Sequence, residues 1–141
     1  MIRRVPLLSL LLSIAGLLTS AYLTYTHFDA SALVCSADSV VDCETVTTSE
    51  QSELLGIPVA FLGLAFFAFL TVLCLPFAWR LDALKWVRLG AVGVGVLMVV
   101  YLVAAEFLII GKICLWCTAV HVITLALACL LVWASLRPSS L

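Results

Sequence analysis

Two pairs of cysteines are the residues best able to do chemistry in this 141-residue chain. Cys114 and Cys117 are three residues apart at the start of a long apolar segment, so on a helix their side chains share one face. The helix dipole and the unpaired N–H groups of a first turn stabilise a thiolate there, and Lys112 adds positive charge. We therefore expect a redox-active dithiol with at least one acidic thiol. The alternative is a pair of small apolar core residues.

The second pair, Cys35 and Cys43, lies in the long polar stretch of the chain. A disulfide that closes so short a loop stabilises little and exchanges easily. This spacing therefore predicts a mobile shuttle, with a static loop disulfide as the alternative. Structural zinc sites place the two ligands of a pair two to four residues apart. Because this pair is spaced more widely, we expect no metal.

Composition places both pairs beside a membrane. The chain is 65% apolar and 11% charged, against about 25% charged residues in soluble domains. Apolar segments long enough to cross a bilayer must be helical, because lipid offers no partner to the backbone. We expect one all-α domain over residues 1–141, a four-transmembrane-helix bundle with spans at about 6–25, 58–79, 89–110 and 113–136. A signal peptide cleaved near Ala21 is the alternative for the first segment.

The basic residues predict how the bundle is oriented. Lys112 alone falls on one side, and lysines and arginines accumulate on the cytoplasmic side of a membrane. Both termini are then cytoplasmic, and the outer loop 27–57 and both cysteine pairs are extracytoplasmic, where disulfides persist. A net charge of −1 argues against nucleic-acid binding. The residues on the cytoplasmic side are Arg3, Arg4, Arg80, Lys85, Arg88 and Arg137.

The outer loop carries signals for a short helix of its own. Residues 47–50 and 48–51 each fit a capping box, which predicts a helix from about 48 to 55. Gly56 can end that helix, and Pro58 suits the first turn of the second span. A plain polar linker is the alternative.

Two ionisable residues inside the apolar segments are further candidates. His121 is one turn beyond Cys117 and could donate a hydrogen bond to a lipid-soluble electron carrier or accept a proton; the alternative is a histidine bonded to a neighbouring helix. Glu106 lies near the outer end of the third segment, where it is either part of a proton path or an interfacial anchor. Ionisable residues in a membrane are candidates for function by default.

The remaining aromatic and sulfur side chains are weaker candidates. Aromatic residues could line a pocket for such a carrier, although near an interface they usually form a belt. Free cysteine behaves as a small apolar residue, so Cys74 and Cys129 are expected to be packing residues, and His27 an interfacial one. The aromatic candidates are Trp116, Phe61, Phe66 and Phe107.

The order of these motifs resembles the vitamin K epoxide reductase family, in a bacterial-type form without a thioredoxin-like domain. Membrane oxidases of the Dsb type also use four helices and two cysteine pairs, but their Cys-x-x-Cys lies early, by the second helix. The matching residues are Cys35 and Cys43, then Ser49, then Gly56-Ile57-Pro58 with Gly63, and last Cys114-Leu115-Trp116-Cys117.

The resemblance implies an electron relay. Cys117 would meet a quinone (ubiquinone or menaquinone), and Cys114 would exchange with Cys43. Cys35 would take electrons from a soluble thioredoxin-fold, DsbA-like protein, and Ser49 matches a family serine near the pocket. The expected activity is disulfide formation driven by quinone reduction, in a multi-pass protein of the bacterial inner membrane.

Two departures from the vertebrate pattern bear on the substrate. Vertebrate members carry a tyrosine where this chain has His121, and an asparagine where counting back from Gly63 gives Val59. The groups tied to the vertebrate substrate are thus altered. Two other functions stay open: a thiol-dependent reductase of quinones or vitamin K epoxide, and a non-enzymatic membrane scaffold whose disulfides only hold the loop.

Overall fold

A computed structural model describes residues 4–29, 53–54 and 56–137 of the chain. Three of the helices in this part of the chain are long and apolar enough to cross a bilayer: the first, the last, and the one over Ala83–Ile110. The chain is therefore a helical membrane protein. Its α-helices are α1 over Arg4–Phe28, α2 over Val59–Leu73, α3 over Ala83–Ala104 and α4 over Leu115–Leu136.

Helix α2 is shorter than the sequence predicts. It has 15 residues, which gives about 22 Å at 1.5 Å per residue, and it ends where Pro76 removes a backbone donor two residues beyond Cys74. A turn then leads into a 3₁₀ helix over Ala78–Arg80. The buried Arg88 stabilises this end, because its Nη1 donates to the Leu73 carbonyl at 3.0 Å.

Helix α3 begins six residues before the predicted span and changes pitch at its outer end. Residues Ala105–Ile110 form a π-helix, a form often found at functional sites. The N–H of Gly111 donates to the carbonyl of Glu106 at 2.8 Å, and Gly111 ends the helix with a φ of 74°. In this wider turn Glu106 is buried while Phe107 is exposed.

The helices pack so that α2 and α4 lie between α1 and α3. Leucine, valine and phenylalanine side chains from α2, α3 and α4 form the core, with Phe67 at its centre. Helix α1 adds Leu12 and Leu17 at the edge of this core and also buries small residues, among them Ser13 and Gly16. A Cβ at Gly16 would lie 2.3 Å from the Phe67 ring, so glycine is what allows α1 to approach α2 this closely.

The end of the outer loop is extended rather than helical. Glu53–Leu54 pairs antiparallel with Ile57–Pro58, and Gly56 makes the reversal with a φ of 81°. The predicted helix over 48–55 is therefore wrong at Glu53–Leu54, since a two-residue connection with a positive φ favours a hairpin. The rest of that predicted helix, together with Cys35, Cys43 and Ser49, lies outside the described residues.

The two cysteines inside the apolar segments differ from each other. Cys74 is fully buried, as predicted, and the Ser13 hydroxyl lies 3.8 Å from its sulfur. Cys129 is exposed on the outer surface of the bundle, so the prediction that it packs in the interior is wrong. The buried face of α4 includes Leu127 and Leu131; Cys129, midway between them in sequence, points to the opposite side.

Candidate active site

A cavity of about 400 Å³ lies between the four helices on the side where α4 begins. Its volume is within the usual range for small-molecule sites, roughly 300–1,000 Å³. Apolar side chains and glycines make up most of its wall, which suits a ligand drawn from lipid. Six lining residues carry polar side-chain groups: Ser20, His27, Glu106, Cys117, His121 and Thr124.

The Cys-x-x-Cys pair lies at the start of α4. One of its sulfurs is buried in the protein, and the other faces the cavity. Cys114 is the N-cap residue, and its sulfur accepts the backbone N–H of Cys117 at 3.3 Å. It is 0% exposed and is covered by Ile110 and Trp116. Cys117, in contrast, lines the cavity. Only Cys117 can therefore meet a ligand there directly.

The position of Cys114 before the membrane-spanning helix makes its thiol acidic. A hydrogen bond from the Cys117 side chain lowers the pKa of Cys114 below its ordinary value, and the backbone N–H groups of Cys117 and Trp116 act in the same direction against the opposing effect of burial. This direction agrees with the expectation of at least one acidic thiol. Its largest cause is local hydrogen bonding at the N-cap.

His121 presents an unsatisfied nitrogen at the cavity. The residue is 5% exposed and lines the cavity wall one turn beyond Cys117. Among the residues that the structure describes, none hydrogen-bonds to its Nε2. A buried polar atom without a partner costs free energy, so this nitrogen is suited to a ligand that completes its hydrogen bonding.

Glu106 faces inward from the π-helix. It is 4% exposed and lines the same cavity, so it is not an interfacial anchor. The backbone N–H of Cys114 hydrogen-bonds to its carboxyl group, and the carboxyl is close enough to interact electrostatically with both sulfurs. The sequence marked Glu106 as a candidate because it is a charged residue within an apolar segment.

The aromatic predictions are only partly correct. Phe66 lines the cavity, whereas Trp116 and Phe61 do not. Trp116 packs on Tyr22 with ring centroids 4.8 Å apart. Phe61 packs against His27 at the mouth, with ring centroids 6.1 Å apart. Both rings therefore pack outside the cavity wall, Trp116 against a residue of α1 and Phe61 against a residue that lines the cavity.

Some lining residues were missed by sequence reasoning. Ser20 and Thr124 are common residues of apolar helices, and His27 was expected at the interface. Their positions depend on how the helices are rotated in the bundle, which no local sequence pattern fixes.

The sequence model of the Vitamin K epoxide reductase family matches residues 7–132. This stretch includes most or all of each described α-helix and all the residues that line the cavity. The chain belongs to the vitamin K epoxide reductase family. Members of the family are oxidoreductases linked to quinones and vitamin K. In this vitamin K epoxide reductase homologue an apolar cavity lies beside Cys117.

The two departures from the vertebrate pattern both fall on the cavity wall of this family member. Val59 lines it where α2 begins, and His121 lines it from α4. An amide side chain is thus replaced by an apolar one, and a phenol by an imidazole. The substitutions change the polar groups offered to a ligand at its edges while leaving Cys117 in place.

Proposed function

We propose that this protein is a quinone-dependent thiol oxidase that drives disulfide formation outside the cytoplasm. The observation that carries the proposal is the shared cavity, where Cys117 and the unsatisfied Nε2 of His121 both face an apolar space within the bundle. The apolar wall would hold a quinone ring, and His121 would hydrogen-bond to one of its oxygens. A bound quinone supplies an acceptor for two electrons and two protons.

The protein's own residues would perform a dithiol oxidation. Cys114 and Cys117 begin as free thiols and close a disulfide, which releases two electrons and two protons. The acidic thiol of Cys114 is the better nucleophile for exchange. Cys117, at the cavity wall, is the sulfur placed to deliver the electrons.

The loop pair would connect this disulfide to the outside. A reduced thioredoxin-fold protein attacks the Cys35–Cys43 disulfide, and Cys43 then attacks the Cys114–Cys117 disulfide at Cys114. Each step exchanges one thiolate for one disulfide bond. Because Cys114 is buried beneath Ile110 and Trp116, the loop cysteine must displace this cover to reach the sulfur.

The proposed orientation places this chemistry on the extracytoplasmic side of the bacterial inner membrane. The side chains of Arg80, Lys85 and Arg88 lie at the end of the bundle opposite the cavity, and basic residues favour the cytoplasm. Helix α2, with the turn and 3₁₀ helix after it, would complete a fourth crossing. The cavity then opens toward the oxidising compartment, where disulfides persist.

Quinone rather than quinone epoxide is the proposed acceptor. Val59 and His121 both line the cavity at positions where the vertebrate pattern has an asparagine and a tyrosine. Product analysis with a quinone and its epoxide compares the two directly. Reduction of the epoxide at a rate equal to that of the quinone would favour a vitamin K-type reductase.

A trapped mixed disulfide tests the relay. Replacing Cys35 and Cys117 together with alanine removes both resolving thiols. Mild oxidation of this variant with a small-molecule disulfide should then join the two remaining partners, and the Cys43–Cys114 disulfide should appear by mass spectrometry of digested protein. The matched control replaces Cys43 and Cys117 and leaves Cys35. Equal trapping of Cys114 by Cys35 would contradict the proposed order of transfer.

A further inference from the structure

Quinone reduction by a dithiol requires proton movement as well as electron movement. When the disulfide closes, two S–H bonds break, one S–S bond forms, and two electrons and two protons leave the pair. A quinone that becomes a quinol takes up the same two electrons and two protons. The protons must cross from the sulfurs to the quinone oxygens inside a largely apolar cavity, so a carrier is needed.

Glu106 occupies the position such a carrier requires. Glu106 lines the cavity together with Cys117, and its carboxyl group accepts the backbone N–H of Cys114. The carboxyl group is therefore close both to the sulfur pair and to the ligand space. No described lysine or arginine lines the cavity, so no fixed cation there holds Glu106 as a structural ion-pair partner.

The local backbone is built to bring this side chain inward. Glu106 is in the π-helical turn that Gly111 closes, and its neighbours Phe107, Leu108 and Ile109 are all exposed. A carboxyl group costs free energy to bury in an apolar bundle. This buried position beside the reactive thiols is a reason to assign it a chemical role.

We propose that Glu106 carries one of the two protons from the Cys114–Cys117 pair to the quinone; this inference rests on the proposed function. The carboxylate takes a proton from a thiol as the disulfide closes and gives it, as the carboxylic acid, to a quinone oxygen. His121, whose Nε2 faces the same cavity, transfers the other proton to the second oxygen. Glu106 returns to the carboxylate, and all atoms and electrons are accounted for.

Infrared difference spectroscopy tests the first half of this transfer without quinone. Chemical oxidation of the reduced protein should produce a carboxylic acid C=O band as Glu106 receives a thiol proton. Glu106→Gln should abolish the band. The control Asp82→Asn, which removes a carboxyl group from before α3 at the other end of the bundle, should leave it. A band unchanged in Glu106→Gln overturns the proposal.

Single-turnover kinetics tests the second half. Mixing reduced protein with ubiquinone-1 should give quinol about a hundredfold or more slowly in Glu106→Gln than in wild type, with quinone affinity within threefold of wild type. Glu106→Ala should be slow as well, and formate should restore its rate, because a small acid can occupy the vacated space. A purely structural role predicts no rescue by formate.

The outcomes separate this inference from the proposed function. If wild-type protein forms no quinol from its thiols, the proposed function is wrong. If wild type forms quinol and Glu106→Gln does so at the same rate, the function stands and the role of Glu106 is overturned. Loss of rate in both variants without rescue by formate also overturns it.

Discussion

Cys117 lines the membrane cavity, while Cys114, whose sulfur accepts the Cys117 N–H at 3.3 Å, is fully buried behind it. The pair is therefore asymmetric before any reaction. One sulfur is placed for an apolar ligand, and the other has the hydrogen bonds that stabilise a thiolate. This asymmetry assigns different partners to two residues that are only three positions apart.

The first prediction concerns the acidity of Cys114. Because the hydrogen bond from the Cys117 side chain lowers the pKa of Cys114, its thiolate should form below the ordinary cysteine pKa of about 8.5. Alkylation of Cys114 should then reach half its maximal rate at a lower pH in Cys117→Ser, which keeps a donor, than in Cys117→Ala. Mass spectrometry of the Cys114 peptide across pH measures both midpoints. Identical midpoints would show that the side-chain hydrogen bond has no effect.

The second prediction concerns His121. Replacement by phenylalanine removes an unsatisfied buried nitrogen, so stability in detergent should be unchanged or higher. Quinone affinity should nevertheless fall by roughly twofold to tenfold, as expected for the loss of a neutral hydrogen bond worth about 0.5–1.5 kcal/mol. Quenching of tryptophan fluorescence measures binding.

Thr124→Val is the control for His121→Phe. Thr124 lines the same cavity, but its hydroxyl already donates to the Val120 carbonyl at 2.9 Å, so its replacement should change affinity little. Wild-type affinity in His121→Phe would mean that Nε2 does not contact the quinone.

The third prediction concerns the shape of the cavity. A Cβ at Gly95 would lie 2.6 Å from the Phe66 ring, so Gly95→Ala must push that ring and reshape the cavity. Gly93→Ala places a methyl group in the same helix with no described neighbour within 4 Å. Both changes raise helix propensity by about 1 kcal/mol, so their difference isolates the cavity. We expect weaker quinone binding only in Gly95→Ala, and equal affinities would contradict this.

The fourth prediction concerns the stability of the opposite end of the bundle. Arg88 donates to the Leu73 carbonyl at 3.0 Å and stacks on Trp79 at 4.0 Å. Arg88→Met removes a charged hydrogen bond worth about 1.5–3 kcal/mol and should lower the thermal midpoint in detergent. Arg80→Gln changes an exposed arginine nearby and should have little effect. A midpoint in Arg88→Met equal to that of Arg80→Gln would show that the Arg88 hydrogen bond to the Leu73 carbonyl does not stabilise the bundle.

The sequence predicted the helices and the position of the dithiol because hydropathy and cysteine spacing are local properties. It did not predict the early end of α2 at Leu73, since the compensating contact comes from Arg88 fifteen residues later. The cavity wall was also only partly predictable. Whether Trp116 or Phe66 faces the ligand depends on helix rotation and packing, and both are aromatic residues in apolar segments.

Glu106 and Cys129 also differ in how far their positions could be predicted from local sequence. A charge in an apolar segment marks Glu106 as unusual, but only the π-helical turn determines that it faces the cavity. Cys129 gives no such signal, because a cysteine is accepted equally by a core and by lipid. Its exposed position on α4 follows from which face of that helix meets the bundle.

Anaerobic single turnover tests the central claim most directly. Fully reduced protein is mixed with ubiquinone-1, and quinol is measured by absorbance while the remaining thiols of Cys114 and Cys117 are counted by mass spectrometry. Wild type should yield one quinol for each Cys114–Cys117 disulfide formed, and Cys117→Ala should yield none, although its loop cysteines are intact. Quinol formation by Cys117→Ala at the wild-type rate would contradict the proposal that Cys117 passes the electrons to the quinone.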